Sequence, residues 1–285
     1  MKENKTPRQL AVTFLSAAAL IAWQQPAQAD TTIESKVTEG LTAYNSIQIG
    51  HGCAVNEGQP TEKMLPVIAE VVVLPTDDSN GELTDDKGLP FSSGLKLSDV
   101  IADANGLLNK ISLVQNRDVF SKQDVIYDPD GRTVTSSGQE VPAAVGFYGR
   151  SGKLQTNLRG RIPFRFSPPT FKAGTTDSCV NTLLVQVAVA DVCKVSKRPV
   201  AGQLNLWFPH KTVVFSDEEI DGLADDEHKL EGTPYTGAPA TLTINRTTAL
   251  DASCNGQGKT AIFWPTTAWI DKTVNIPKFW KPKAP

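Results

Sequence analysis

Three histidines, at positions 51, 210 and 228, are the only imidazoles in this chain of 285 residues, and each has a different chemical setting. His51 lies in Ile49-Gly50-His51-Gly52-Cys53. Glycines on both sides permit close backbone approach, and a bridged cysteine next door would fix the direction of the imidazole, as a metal ligand requires. His210 ends Leu206-Trp207-Phe208-Pro209-His210. Trp207 and His210 are three apart and face opposite sides of an unbroken strand, so a shared site needs a bend at Pro209. His228 follows Asp225-Asp226-Glu227, the pattern of a solvated charge cluster. Two imidazoles on one ion must lie within about 5 Å of each other. His51 and His210, with Trp207 nearby, are therefore the candidate ligands, and such a donor set suits copper. The plainer alternatives are a strand-capping turn at His51 and an edge histidine beside an aromatic core at His210.

Other chemistry is weakly marked. Carboxylates separated by turns in Asp128-Pro129-Asp130-Gly131, and again over residues 217–225, are of the type that holds calcium, without the twelve-residue EF-hand pattern. There is no G-x-S-x-G elbow, no H-E-x-x-H helix and no phosphate-cradling glycine loop. No nucleophile, base or cofactor motif stands out, which points to a non-enzymatic protein. Trp264, Trp269 and Trp280 are either core residues or a platform for a glycan or protein partner.

The four cysteines, Cys53, Cys179, Cys193 and Cys254, predict two disulfides in an oxidising compartment. Residues 183–192 alternate and are rich in valine, so they read as a buried strand flanked by Cys179 and Cys193. A straight strand between those two cysteines spans roughly 45 Å at about 3.3 Å per residue. A disulfide needs Cα atoms within about 7 Å. Each of the pair should then bond to Cys53 or Cys254. A four-cysteine zinc site is disfavoured by the absence of C-x-x-C spacing.

The first 29 residues carry Lys2, Lys5 and Arg8, an apolar run over 10–23 and Ala27-Gln28-Ala29, the order of a cleaved secretory signal peptide. No later segment has eighteen unbroken apolar residues, so the mature chain is expected to carry no transmembrane segment. The whole chain has a formal charge of −3, and removal of Lys2, Glu3, Lys5 and Arg8 takes away a net +2 and leaves −5. A mildly acidic surface argues against nucleic acid and anionic membrane as partners. The expected location is the periplasm or the cell surface.

Alternation and β-branching predict strands over 46–49, 67–74, 162–166, 183–192, 203–208, 212–215, 240–245, 259–264 and 272–276. A near-3.6 period through Leu97, Val100, Ile101, Leu107, Leu108 and Ile111 predicts one helix over 97–113, weakened by Gly106. Polar, turn-rich stretches bracket that helix, so residues 77–139 read as a helix-containing insertion. Residues 277–285, with their prolines, read as a flexible tail. Many short strands suggest one all-β domain over 30–285, a β-sandwich with Ig-like or Greek-key connections.

The stretch around His51-Gly52-Cys53, Pro60-Thr61-Glu62-Lys63 and the strand closing at Pro75 resembles the YcnI-like family of exported copper-binding domains. That resemblance implies an Ig-like β-sandwich and a copper ion. The N-terminal histidine ligand of that family does not carry over, since Asp30 stands at the expected mature terminus. Residues 118–123, 160–166 and 178–193 are similar to exported proteins of unassigned role in methane- and ammonia-oxidising bacteria. A looser similarity, in size, export and sparse histidines, extends to surface copper proteins of the MopE and CorA type. Two readings emerge. The first is an exported copper-binding protein for storage, delivery or scavenging. The second is a metal-free structural or adhesive module that binds an envelope protein or a glycan.

Overall fold

The computed structural model describes residues 31–56, 59–173 and 179–284. The predicted signal peptide, residues 1–29, lies outside them. In chain order the strands are β1 (Thr32–Ile33), β2 (Val37–Thr38), β3 (Ala43–Ile49), β4 (Val67–Val73), β5 (Gly81–Thr84), β6 (Ile111–Leu113), β7 (Phe120–Tyr127), β8 (Thr133–Ser136), β9 (Gln139–Pro142), β10 (Ala144–Leu154), β11 (Gly160–Phe166), β12 (Val180–Val192), β13 (Leu204–Trp207), β14 (Ala240–Asn245) and β15 (Lys259–Pro265). The helices are α1 (Leu97–Val100) and α2 (Thr267–Thr273).

The fold is an all-β sandwich. A four-stranded sheet, β1-β3-β11-β6, faces a nine-stranded sheet whose main path is β2-β14-β12-β4-β10-β7. Strand β12 is its spine. The first half of β12 lies between β14 and β15, and the second half between β4 and β13. Its side chains alternate between two apolar layers. Val185, Val187 and Val189 pack with Ile47, Phe164 and Phe166 inside the sandwich. Ala188, Ala190 and Val192 pack outward beneath Phe208, Phe215, Trp269 and Trp280. Burial on both faces explains the apolar stretch Val187–Ala190, since a strand covered on two sides loses its polar alternation.

Two disulfides form, and as expected Cys179 and Cys193 do not bond to each other: the pairs are Cys53–Cys193 and Cys179–Cys254. They clamp the two ends of β12 to distant parts of the chain.

Several expectations are corrected. The helix predicted over 97–113 is a single turn, α1, followed by turns and then β6. Gly106 adopts φ +61°, and a Cβ there would meet the Thr76 carbonyl at 2.1 Å, so the chain must turn tightly at that point. Ile101 instead pairs with Phe171 as an isolated bridge. The apolar positions are buried, but against the sheets rather than along one helical face. Nor do residues 77–139 stand apart: β6 extends the smaller sheet, while β5 and β7 belong to the larger one. Finally, the terminal segment is anchored. Trp280 is 2% exposed, bridges Ile276 and donates its indole N–H to the Ser196 carbonyl at 2.9 Å. Residues 212–215 and 272–276 are not strands. The former are a bend, and the latter overlap the end of α2, which Thr266 caps by accepting from the Trp269 N–H.

Candidate metal centre

The chain leaves β3 at Ile49 and passes through Gly50-His51-Gly52 to Cys53. Cys53 is fixed by paired backbone hydrogen bonds with Leu65, 2.8 and 3.0 Å, and by its bond to Cys193. At Gly52 a Cβ would lie 2.3 Å from the Leu65 carbonyl and 2.7 Å from Thr156 Cγ2, so only glycine fits this approach. His51 donates from Nδ1 to the Gly52 carbonyl at 2.5 Å, which fixes the tautomer and leaves Nε2 facing Asp221 Oδ2 at 3.5 Å. The edge of the ring meets Trp207, centroids 6.1 Å apart at 74°. His51 is thus partly buried and Asp221 reaches solvent.

Asp221 comes from the loop after β13. Its carbonyl accepts from the Leu206 N–H at 2.8 Å, which ties the loop to the strand. Gly222, at φ +77°, lies against Trp207, and a Cβ there would sit 2.5 Å from the indole. Burial pushes the Asp221 carboxyl above the usual range, and the facing His51 opposes that push.

Beneath Trp207 lies an interior polar row. The indole Nε1–H donates to Asp191 Oδ2 at 2.6 Å, and the Thr31 hydroxyl donates to the same oxygen at 2.8 Å. Glu70 stands directly opposite Asp191 on β4, and Asn205 directly opposite it on β13. Asp191 is 1% exposed and Glu70 and Asn205 are fully enclosed. Burial, then the adjacent Asp191 charge, hold the Glu70 carboxyl well above its ordinary range. Burial also raises Asp191, against the hydrogen bonds it accepts.

His51 and Trp207 therefore meet, while His210 keeps other company. Its Nε2–H donates to the Pro265 carbonyl at 3.1 Å, and the ring stacks on Tyr235, centroids 6.1 Å apart. Tyr235 in turn stacks on Trp264 at 3.8 Å. Burial lowers the His210 pKa and favours the neutral ring. Among the described residues His210 shares no hydrogen bond, ion pair or ring contact with His51 or Trp207. It lines a separate cleft of about 360 Å³ with Glu82, Lys211, Thr236 and Thr267.

His228 is exposed and pairs with Asp225 at 2.9 Å, as its acidic setting predicts. In the stretches with calcium-type spacing the carboxylates have other partners. Asp128 accepts from Arg132 and Asp130 from Lys272, while Asp217 and Asp225 accept from the backbone N–H groups of Glu219 and Glu227. Trp264, Trp269 and Trp280 are each 5% exposed or less, and each indole N–H has a partner, so they pack the fold rather than present a platform.

Sequence reasoning included Asp221 only within the calcium-type stretch 217–225, not as a partner of His51, and missed Asp191, Glu70 and Asn205. A signal existed for two of them: Asp191 interrupts the inward series Val185, Val187, Val189, and Glu70 interrupts an otherwise apolar run in β4. A charge on an inward position of a buried strand is costly unless it is compensated. Among the described residues no group of three or more His, Cys, Asp and Glu side chains is arranged to hold a metal ion. His51 and Asp221 are a two-donor pair. No protein-family model matches this chain, and no curated protein matches it.

Proposed function

We propose that the protein is a non-enzymatic copper-binding β-sandwich of an oxidising, extracytoplasmic compartment, with His51 and Asp221 as the protein ligands. One observation carries this reading: Nδ1 of His51 is committed to a backbone carbonyl, so Nε2 is held free and directed at a carboxylate 3.5 Å away. Metal-bound histidines are oriented in this way. One imidazole and one carboxylate, with water completing the shell, suit copper(II) better than copper(I). The pairing of all four cysteines supports an oxidising location. His210 lies outside this ligand set because it stacks on Tyr235 in a different cleft, with Glu82 and Lys211.

The test is copper(II) titration of the purified protein, read by electron paramagnetic resonance and by quenching of tryptophan fluorescence. One equivalent with single-imidazole coupling and strong quenching is expected. His51→Ala should lose both signals and His210→Ala should keep them. Equal copper uptake by wild type and His51→Ala overturns the proposal.

A protein partner is the second reading, favoured by apolar exposure beside the site. Val55 and Leu65, 53% and 40% exposed, flank Cys53 in the chain and across its bridge to Leu65. Val55→Asp with Leu65→Asp should abolish capture of an envelope partner without changing copper uptake.

A further inference from the structure

The row Glu70–Asp191–Asn205 is short of donors. Directly opposed residues of an antiparallel pair project to the same face, so all three side chains point into the sandwich from adjacent strands. The Glu70 and Asp191 carboxyls lie within hydrogen-bond reach of each other, and with both ionised four oxygens of the row have no donor: Glu70 Oε1 and Oε2, Asp191 Oδ1 and Asn205 Oδ1. The donors that reach the row, Trp207 and Thr31, are both spent on Asp191 Oδ2. The Asn205 amide donates to the Gly52 carbonyl at 3.3 Å. Among the described residues no lysine or arginine pairs with either carboxylate. On the other flank of Glu70 stands Gly149, which has no side chain, with Phe120 packed over it.

Two carboxylates buried without a counter-charge cost several kcal/mol each. A proton on Glu70, donated to Asp191 across their side-chain hydrogen bond, would supply one donor and leave at least two acceptors orphaned, Asn205 Oδ1 among them. A divalent cation would supply both charges and engage all four oxygens. We propose that this row is a binding site for a hard divalent cation of the calcium type, held by Glu70, Asp191 Oδ1 and Asn205 Oδ1. The donors are all oxygen, which selects calcium over copper or zinc. An amide and two carboxylates do not make a trio of His, Cys, Asp and Glu, so the site agrees with the lack of such a trio. It uses none of the atoms of the His51–Asp221 pair, although the two adjoin at the Gly52 carbonyl, which accepts from both His51 and Asn205.

The test is elemental analysis of the purified protein before and after treatment with EGTA, followed by thermal melts over a calcium series. About one calcium per chain is expected, with a melting temperature that rises with calcium concentration. Glu70→Gln should weaken calcium binding at least tenfold, yet melt no lower than the calcium-free wild type. Asn205→Asp, which adds a third carboxylate, should bind calcium more tightly. His51→Ala and Asp221→Asn should keep the calcium response, so loss of copper binding and loss of calcium binding are separable. A wild-type protein that holds no calcium and melts identically with and without EGTA overturns the proposal.

Discussion

The indole of Trp207 touches His51 with its ring and Asp191 with its N–H, so one side chain joins the surface pair to the interior row. Trp207→Phe keeps most of the packing but removes a donor from a buried carboxylate. A loss of about 1–3 kcal/mol is expected, the cost of leaving a buried acceptor short of a partner. Denaturant unfolding measures it. An unchanged midpoint would mean that Asp191 is satisfied by other means.

Gly52 sets the position of His51. Its missing Cβ leaves room for the Leu65 carbonyl and Thr156. Gly52→Ala should break the Cys53–Leu65 pairing and destabilise by about 1–3 kcal/mol, in the range of overpacked sites. Copper affinity should fall with it.

Acid stability should depend on Glu39. This buried carboxylate accepts from the backbone N–H groups of Phe171, Thr247 and Thr248. Burial pushes its pKa up, but those hydrogen bonds outweigh burial and hold it below the ordinary 4.5. A depressed folded value means that the stabilisation is fully present above 4.5 and is lost as pH falls through the lower folded value. Glu39→Gln should therefore be less stable than wild type at neutral pH, and the two should converge in strong acid. Urea melts from pH 7 to pH 2.5 would show it; parallel curves would contradict it.

The terminal segment closes the outer apolar layer. Trp280→Ala should cost about 3–5 kcal/mol, as for large buried aromatics. It should also expose Phe215, whose ring lies 6.2 Å from the indole. Thermal melting and binding of a hydrophobic dye read both effects. A melting temperature within a degree of wild type would show that the segment is dispensable.

The parts of this molecule legible in its sequence are those fixed by local pattern. Strand β14 falls on residues 240–245 as alternation predicts, and the core of β12 lies where the valines are. One of the three possible disulfide pairings was excluded, because a long straight strand keeps its own ends apart, but the choice between the other two was made by the tertiary fold. Residues 97–113 misled because a helical period appears whenever apolar side chains recur at similar spacing; contacts to Thr76 and Phe171 decided the outcome, and neither is near in sequence. At the site, His51 and Trp207 were visible as unusual residues in unusual neighbourhoods. Asp221 was not, because it is an ordinary acid in an acidic loop until the Leu206 hydrogen bond places it beside an imidazole.

The two bridges give the chain a property that unbridged sandwiches lack. Exposed Glu231 and Gly232 lie between Cys179 and Cys254, and a protease that cuts there produces fragments still tied by sulfur. A nicked molecule would run as one band until it is reduced, so a single proteolytic cut need not end its working life.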